Sequence, residues 1–127
     1  MLERCFDCSS EGLVAAQVFL ESLCAEPKPS IVVDEIASNI VRCSGAKDFL
    51  MSVDKTDDEI TIVFTDDGVA FDPTTQTRDP DISASADERS IGGLGVYMVR
   101  KMARSFTYRR ENGQNVLTIV IPVKGTF

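Results

Sequence analysis

Apolar positions at 13, 16, 20, 23 and 24 fall at the three-and-four spacing of one helix face, behind Ser9 and Ser10 as cap candidates. That pattern predicts a first helix ending near Glu26, with residues 2–7 before it as a short edge strand. Pro27 and Pro29 are expected to break the chain. A second helix follows, with Ile36, Ala37, Ile40 and Val41 on one face and Gly45 as its C′ residue. The period then changes to two. Residues 47–55 alternate through Phe49, Met51 and Val53, and residues 59–66 through Ile60, Ile62 and Phe64; the polar "DKTDD" makes the pair an antiparallel hairpin. A third helix is expected after Gly95, to about Ala103. Strands at 105–110 and 115–123 then form a second hairpin around Asn112-Gly113, a strong turn signal. The order helix, helix, hairpin, loop, helix, hairpin predicts an α+β fold, a two-layer sandwich of mostly antiparallel sheet with helices on one face.

Length and charge narrow what such a fold would do. The 127 residues suit a single domain, 1–127, burying about two-thirds of its unfolded surface. Hydrophobic residues make up 43% and charged residues 26%, an ordinary globular balance. No apolar run approaches the roughly 18 residues of a membrane span. The opening "MLERCFDCSS" lacks the basic-then-apolar layout of a signal peptide, so a cytoplasmic protein is expected. The net charge of −7 disfavours nucleic acid, whose binding rests on Lys and Arg neutralising phosphates. An anionic nucleotide would need local help from backbone amides, a helix dipole or a divalent cation.

Three segments carry candidate chemistry. In "VVDEIASNIVR", Glu35 and Asn39 are four apart and share a helix face, bordering the apolar stripe; they suit a cation or a proton transfer, and equally a solvated helix face. In "ITIVFTDDGVAFDP", Asp66 stays in phase with Ile60, Ile62 and Phe64, which aims a carboxylate at the helix layer. Burial there needs a partner, although an Asx-type turn into Asp67-Gly68 accounts for the residue as well. The third segment, "SIGGLGVYMVRKMA", packs Gly92, Gly93 and Gly95 ahead of a helical pattern. No Lys follows Gly95, so it is not a Walker loop. The third glycine of a dinucleotide fingerprint is missing and no strand precedes it. What remains is converging backbone amides at a helix N-terminus, suited to an anion, or a hinge before a surface helix. Between Asp72 and Ser90 lies a long polar stretch whose only large aliphatic residue is Ile82. Residues 72–91, leading into the glycines, read as a lid loop over a ligand or a frayed surface loop.

The cysteines weigh less. Cys5 and Cys8 form a C-x-x-C, but the chain has no His, and Cys24 and Cys43 lie 19 apart within predicted helices. Thiols in a reducing compartment are the expectation over zinc or dithiol chemistry.

Taken in order, the three segments resemble the Bergerat-fold ATPases, and more closely the small bacterial anti-sigma-factor serine/threonine kinases. "DEIASNIV" is similar to that family's N box and "DDGVAFDP" to its first glycine box. "ERSIGGLGVYMVRKMARSFTYRRENGQNVLTI" is similar to its second box and closing hairpin. The resemblance implies ATP and Mg²⁺ as cofactors. It implies Asn39 as the metal contact, Glu35 as general base, and Asp66 as acceptor of the adenine amino group with Gly68 allowing close approach. It implies Gly93, Leu94 and Gly95 as the phosphate loop. Thr118 would assist Asp66 at adenine, with its register left open. Ala70 stands where many relatives carry Gly or Pro, and Cys43 where they often carry His or Tyr. The implied activity is phosphorylation of a Ser or Thr on an anti-sigma-factor antagonist with a STAS fold. Sequestration of a sigma factor and a homodimer are implied alongside it. A nucleotide-responsive binding switch without phosphoryl transfer is the alternative.

Overall fold

In the computed structural model, which describes residues 1–75 and 93–123, β1 (Leu2–Asp7) leads into α1 (Ser10–Leu23). Ser9 caps that helix, its hydroxyl accepting from the Gly12 amide at 3.0 Å. Next comes α2 (Pro27–Cys43), then the hairpin β2 (Asp48–Lys55) and β3 (Glu59–Asp66). A short 3-10 turn spans Pro73–Thr75; α3 is Gly93–Met102. The chain closes on β4 (Ser105–Glu111) and β5 (Gln114–Pro122), joined at Asn112 and Gly113, both at positive φ as a primed hairpin turn requires.

The five strands form one antiparallel sheet in the order β1-β2-β3-β5-β4. Two sequence boundaries move. Pro27 and Pro29 open α2 instead of separating it from α1, because the first helical turn needs no amide donors from those positions. The third helix begins at Gly93, so Gly93 and Gly95 lie inside its first turns.

Register decides what faces the helices. Val53 pairs with Ile62, Met51 with Phe64, Ile62 with Ile119 and Ile60 with Ile121, and all are buried on the helix side. Ile36 and Val33 of α2, Leu20 of α1, and Val96 and Val99 of α3 pack against them. Each such side chain contributes about 1.5–3 kcal/mol of burial. The same alternation carries Asp66 to that face at the end of β3, where it is 6% exposed. No helix among the described residues is long and apolar enough to cross a membrane.

Candidate nucleotide site

A cleft opens between α2 and the ends of β3, β4 and β5. Ile36, Ile40, Phe64, Phe71 and Leu117 supply apolar walls, and Asp66, Asn39 and Asn115 the polar points. Such a lining suits a flat organic group that is anchored at a few positions.

At one end, Asp66 Oδ1 accepts from the Gly68 amide at 2.9 Å and from Asn115 Nδ2 at 3.1 Å. The Asx turn and the buried acceptor of the sequence are therefore one arrangement, with one oxygen making the turn. Among the described residues, the other oxygen, Oδ2, receives no hydrogen bond. A carboxylate clamped in this way presents an acceptor only, the complement of an exocyclic amine.

Asn115 is the residue the sequence reading missed. It is 6% exposed; its amide nitrogen also donates to the Val69 carbonyl at 2.8 Å. Its oxygen accepts from Tyr108 Oη at 2.5 Å, Arg110 Nη1 at 3.1 Å and the Phe71 amide at 3.4 Å. Acceptors on one side and donors on the other fix the amide orientation. Thr118 is not brought to this end. It pairs with Val63 on the opposite face of the sheet, whereas Asn115 pairs with Asp66 itself. Period two is the reason, and it held the signal: 115, 117, 119 and 121 are in phase, so a polar residue opens the buried set of β5, just as Asp66 ends that of β3.

Gly68 owes its identity to the protein as well as to any ligand. A Cβ there would stand 2.2 Å from the Ser44 carbonyl oxygen, because the turn docks on the end of α2. The Val69 amide donates to that same carbonyl at 2.8 Å. Ala70 is exposed and Cys43 is exposed just beyond this seam.

At the other end, α2 presents Glu35 and Asn39 one turn apart. Asn39 lines the cleft and is 7% exposed, its Oδ1 accepting from Arg42 Nη2 at 2.7 Å. Glu35 is half-buried and stands off the cleft wall against α3; a Cβ on Gly95 would lie 1.9 Å from its Oε2. With the carboxylate in this position a side chain at 95 would push the Glu35 side chain aside. Glu35 and Gly95 thus come together, with Asn39 one turn further along α2, so α3, beginning at Gly93 and Leu94, opens beside Glu35. The lid expectation falls mostly on residues 76–92, which lie outside the described residues. Its root does not: Thr74 donates through its amide and hydroxyl to Asp72, and Arg100 of α3 holds the Thr74 carbonyl at 2.9 Å.

The cysteines are free thiols. Burial first, and then the nearby Asp66 carboxylate, pushes the Cys8 thiol above its ordinary value, which keeps it protonated near neutrality. Burial, followed by Asp48 and Asp7, does the same at Cys5. Among the described residues no group of three His, Cys, Asp or Glu is placed to hold a metal.

Serine/threonine-protein kinase BtrW of Bordetella bronchiseptica is 32% identical over 69 residues, which is 54% of this chain and 48% of BtrW. The chain therefore spans about half the length of that curated relative. Residues 13–121 match the histidine kinase-like ATPase domain, a stretch that takes in α2, the cleft and both hairpins. The chain belongs to the histidine kinase-like ATPase family.

Proposed function

We propose that this chain is an ATP- and Mg²⁺-dependent kinase that phosphorylates a serine or threonine of a STAS-fold anti-sigma-factor antagonist in the cytoplasm. Membership of an ATPase family supports ATP as the ligand of the cleft, and the finer reading draws on the likeness to a serine/threonine-protein kinase. Sequestration of a sigma factor and homodimerisation belong to the same proposal, on the resemblance alone. The observation that carries it is one cleft with a clamped carboxylate at one end, Asn39 at the other and Glu35 one turn away.

The residues fit the cofactors they would hold. The apolar walls exclude water from a base, and Asp66 Oδ2 accepts from its amino group. Asn39 Oδ1 is a neutral, hard oxygen of the kind Mg²⁺ takes. When bound, the metal would neutralise charge on the phosphates. Glu35 would then take the proton of the attacking hydroxyl on its carboxylate, for which Gly95 leaves room.

Labelled-phosphate transfer to a copurifying STAS protein tests the reading, with ATP binding measured in parallel. Transfer that depends on Glu35 supports a kinase. Wild-type protein that binds both ATP and the partner, yet never transfers phosphate, would make the chain a nucleotide-responsive binding switch.

A further inference from the structure

The oxygen assigned above to Mg²⁺ is already held by a cation of the chain. Arg42 lies three residues beyond Asn39 on α2, and its Nη2 donates to Asn39 Oδ1 at 2.7 Å. Its Nε reaches the Ser38 carbonyl at 3.3 Å. A guanidinium has donors only, so the amide atom facing it must be the oxygen. Arg42 therefore turns toward itself the one atom of Asn39 that can ligate a metal. Asn39 is buried, whereas Arg42 is exposed on a flexible stem, so the arginine can leave and the amide cannot.

A divalent cation and a guanidinium compete for one carbonyl oxygen, because the two positive charges repel at contact distance. We propose that Arg42 is the resident cation of this site. It holds Asn39 Oδ1 until Mg²⁺ displaces it, and it thereby sets how strongly ATP binding depends on the metal. A displaced guanidinium remains beside the triphosphate, where its planar fork suits phosphate oxygens. Without metal it supplies positive charge itself; with metal it must be moved aside. Both effects lower the metal dependence of the wild-type protein, so removing the charge raises that dependence whichever dominates. The inference rests on the nucleotide reading above. A purely structural role is also available to Arg42, as a cation in the last turn of α2 bonded to a helix carbonyl, and the test must separate the two.

Calorimetry of ATP in excess Mg²⁺ and again in EDTA gives the enhancement by metal as a ratio of affinities. For Arg42→Met, which keeps the length and removes the charge, that ratio should rise by about tenfold over wild type, within the usual span of coupling between two sites. Arg42→Lys keeps the charge and should stay near the wild-type ratio. A structural role would lower the melting temperature of both variants and leave the ratio alone. Should Arg42→Met fail to fold, Arg42→Gln makes the same comparison. An unchanged or smaller ratio in the neutral variant overturns the inference, as does a lysine variant that behaves like the neutral one. If wild-type protein binds no ATP in either buffer, the nucleotide reading fails and this inference falls with it. ATP binding with an unaltered ratio removes only the role of Arg42.

Discussion

The two ends of the cleft are built in opposite ways. At the Asp66 end, proposed for the base, the bonds are long-range: Asn115 reaches Asp66, Val69 and Phe71 across 49, 46 and 44 residues. At the end proposed for the phosphates Glu35, Asn39 and Arg42 share one helix, and the bond between Asn39 and Arg42 spans three residues. The first end is set by the tertiary fold and is rigid before any ligand arrives. The second is set by local helix geometry and carries an exposed arginine. Recognition of a base gains from preorganisation, whereas a metal and a charged chain of phosphates need room to enter.

The sharpest separation of the two ends comes from Glu35→Ala. Phosphate transfer should fall by roughly 10²–10⁴-fold, the usual share of a general base, while calorimetry shows ATP affinity nearly unchanged. Loss of ATP binding in the same variant would make Glu35 part of the binding scaffold instead. Asp66→Asn breaks the other end. Because Gly68 and Asn115 both donate to Oδ1, the new amide must keep its oxygen there and turn its NH₂ into the cleft. ATP affinity should fall about 10–100-fold, the cost of an unmatched buried polar contact, and the preference should move toward a purine carrying a keto oxygen. A titration with GTP reads this directly; equal loss for both nucleotides would mean that Asp66 does not contact the base.

Asn115→Ala should cost about 1–3 kcal/mol of stability, since it removes a buried donor to Asp66 together with four part-buried bonds. Chemical denaturation measures that loss, and the ATP-to-GTP preference should shrink with it. A stable variant with full discrimination would show that Asp66 needs no clamp. Tyr108→Phe removes one bond to Asn115 and should cost about 0.5–1.5 kcal/mol. Cys8 gives the smallest effect. Its thiol is raised in the folded protein by burial and by Asp66, so the native state keeps a proton that the unfolded chain has already lost. The stabilisation is complete below the ordinary thiol value and disappears as pH rises through the raised one. A Cys8→Ser protein should show a shallower decline of melting temperature above about pH 8.5, near the free thiol value.

The same contrast explains what the sequence disclosed. Helix faces and strand alternation are local, and they named every described helix and strand, the facing of Asp66, and the pairing of Glu35 with Asn39. Partners across the sheet are not local. Alternation along β5 separates Asn115 from Thr118, but that Asn115 stands opposite Asp66 needs the β3–β5 register. The opening of α2 on Pro27 follows proline's local preference for the first helical turn, which the expected chain break set aside. No pattern, however, reveals that Ser44 will press against Gly68. That outcome depends on where α2 is set down on the sheet.

The Asp66–Asn115 contact also has a place in time. It joins β3 to β5 at the heart of the sheet, between segments 49 residues apart, and such distant pairings form late because loop closure must precede them. Until that ladder closes, the end of the cleft proposed for the base does not exist. ATP can then act only on molecules that have already crossed the folding barrier. In stopped-flow experiments saturating ATP should leave the refolding rate unchanged and slow unfolding instead, by the full factor by which it stabilises the native state. Faster refolding with ATP would place the assembly of this end before the barrier.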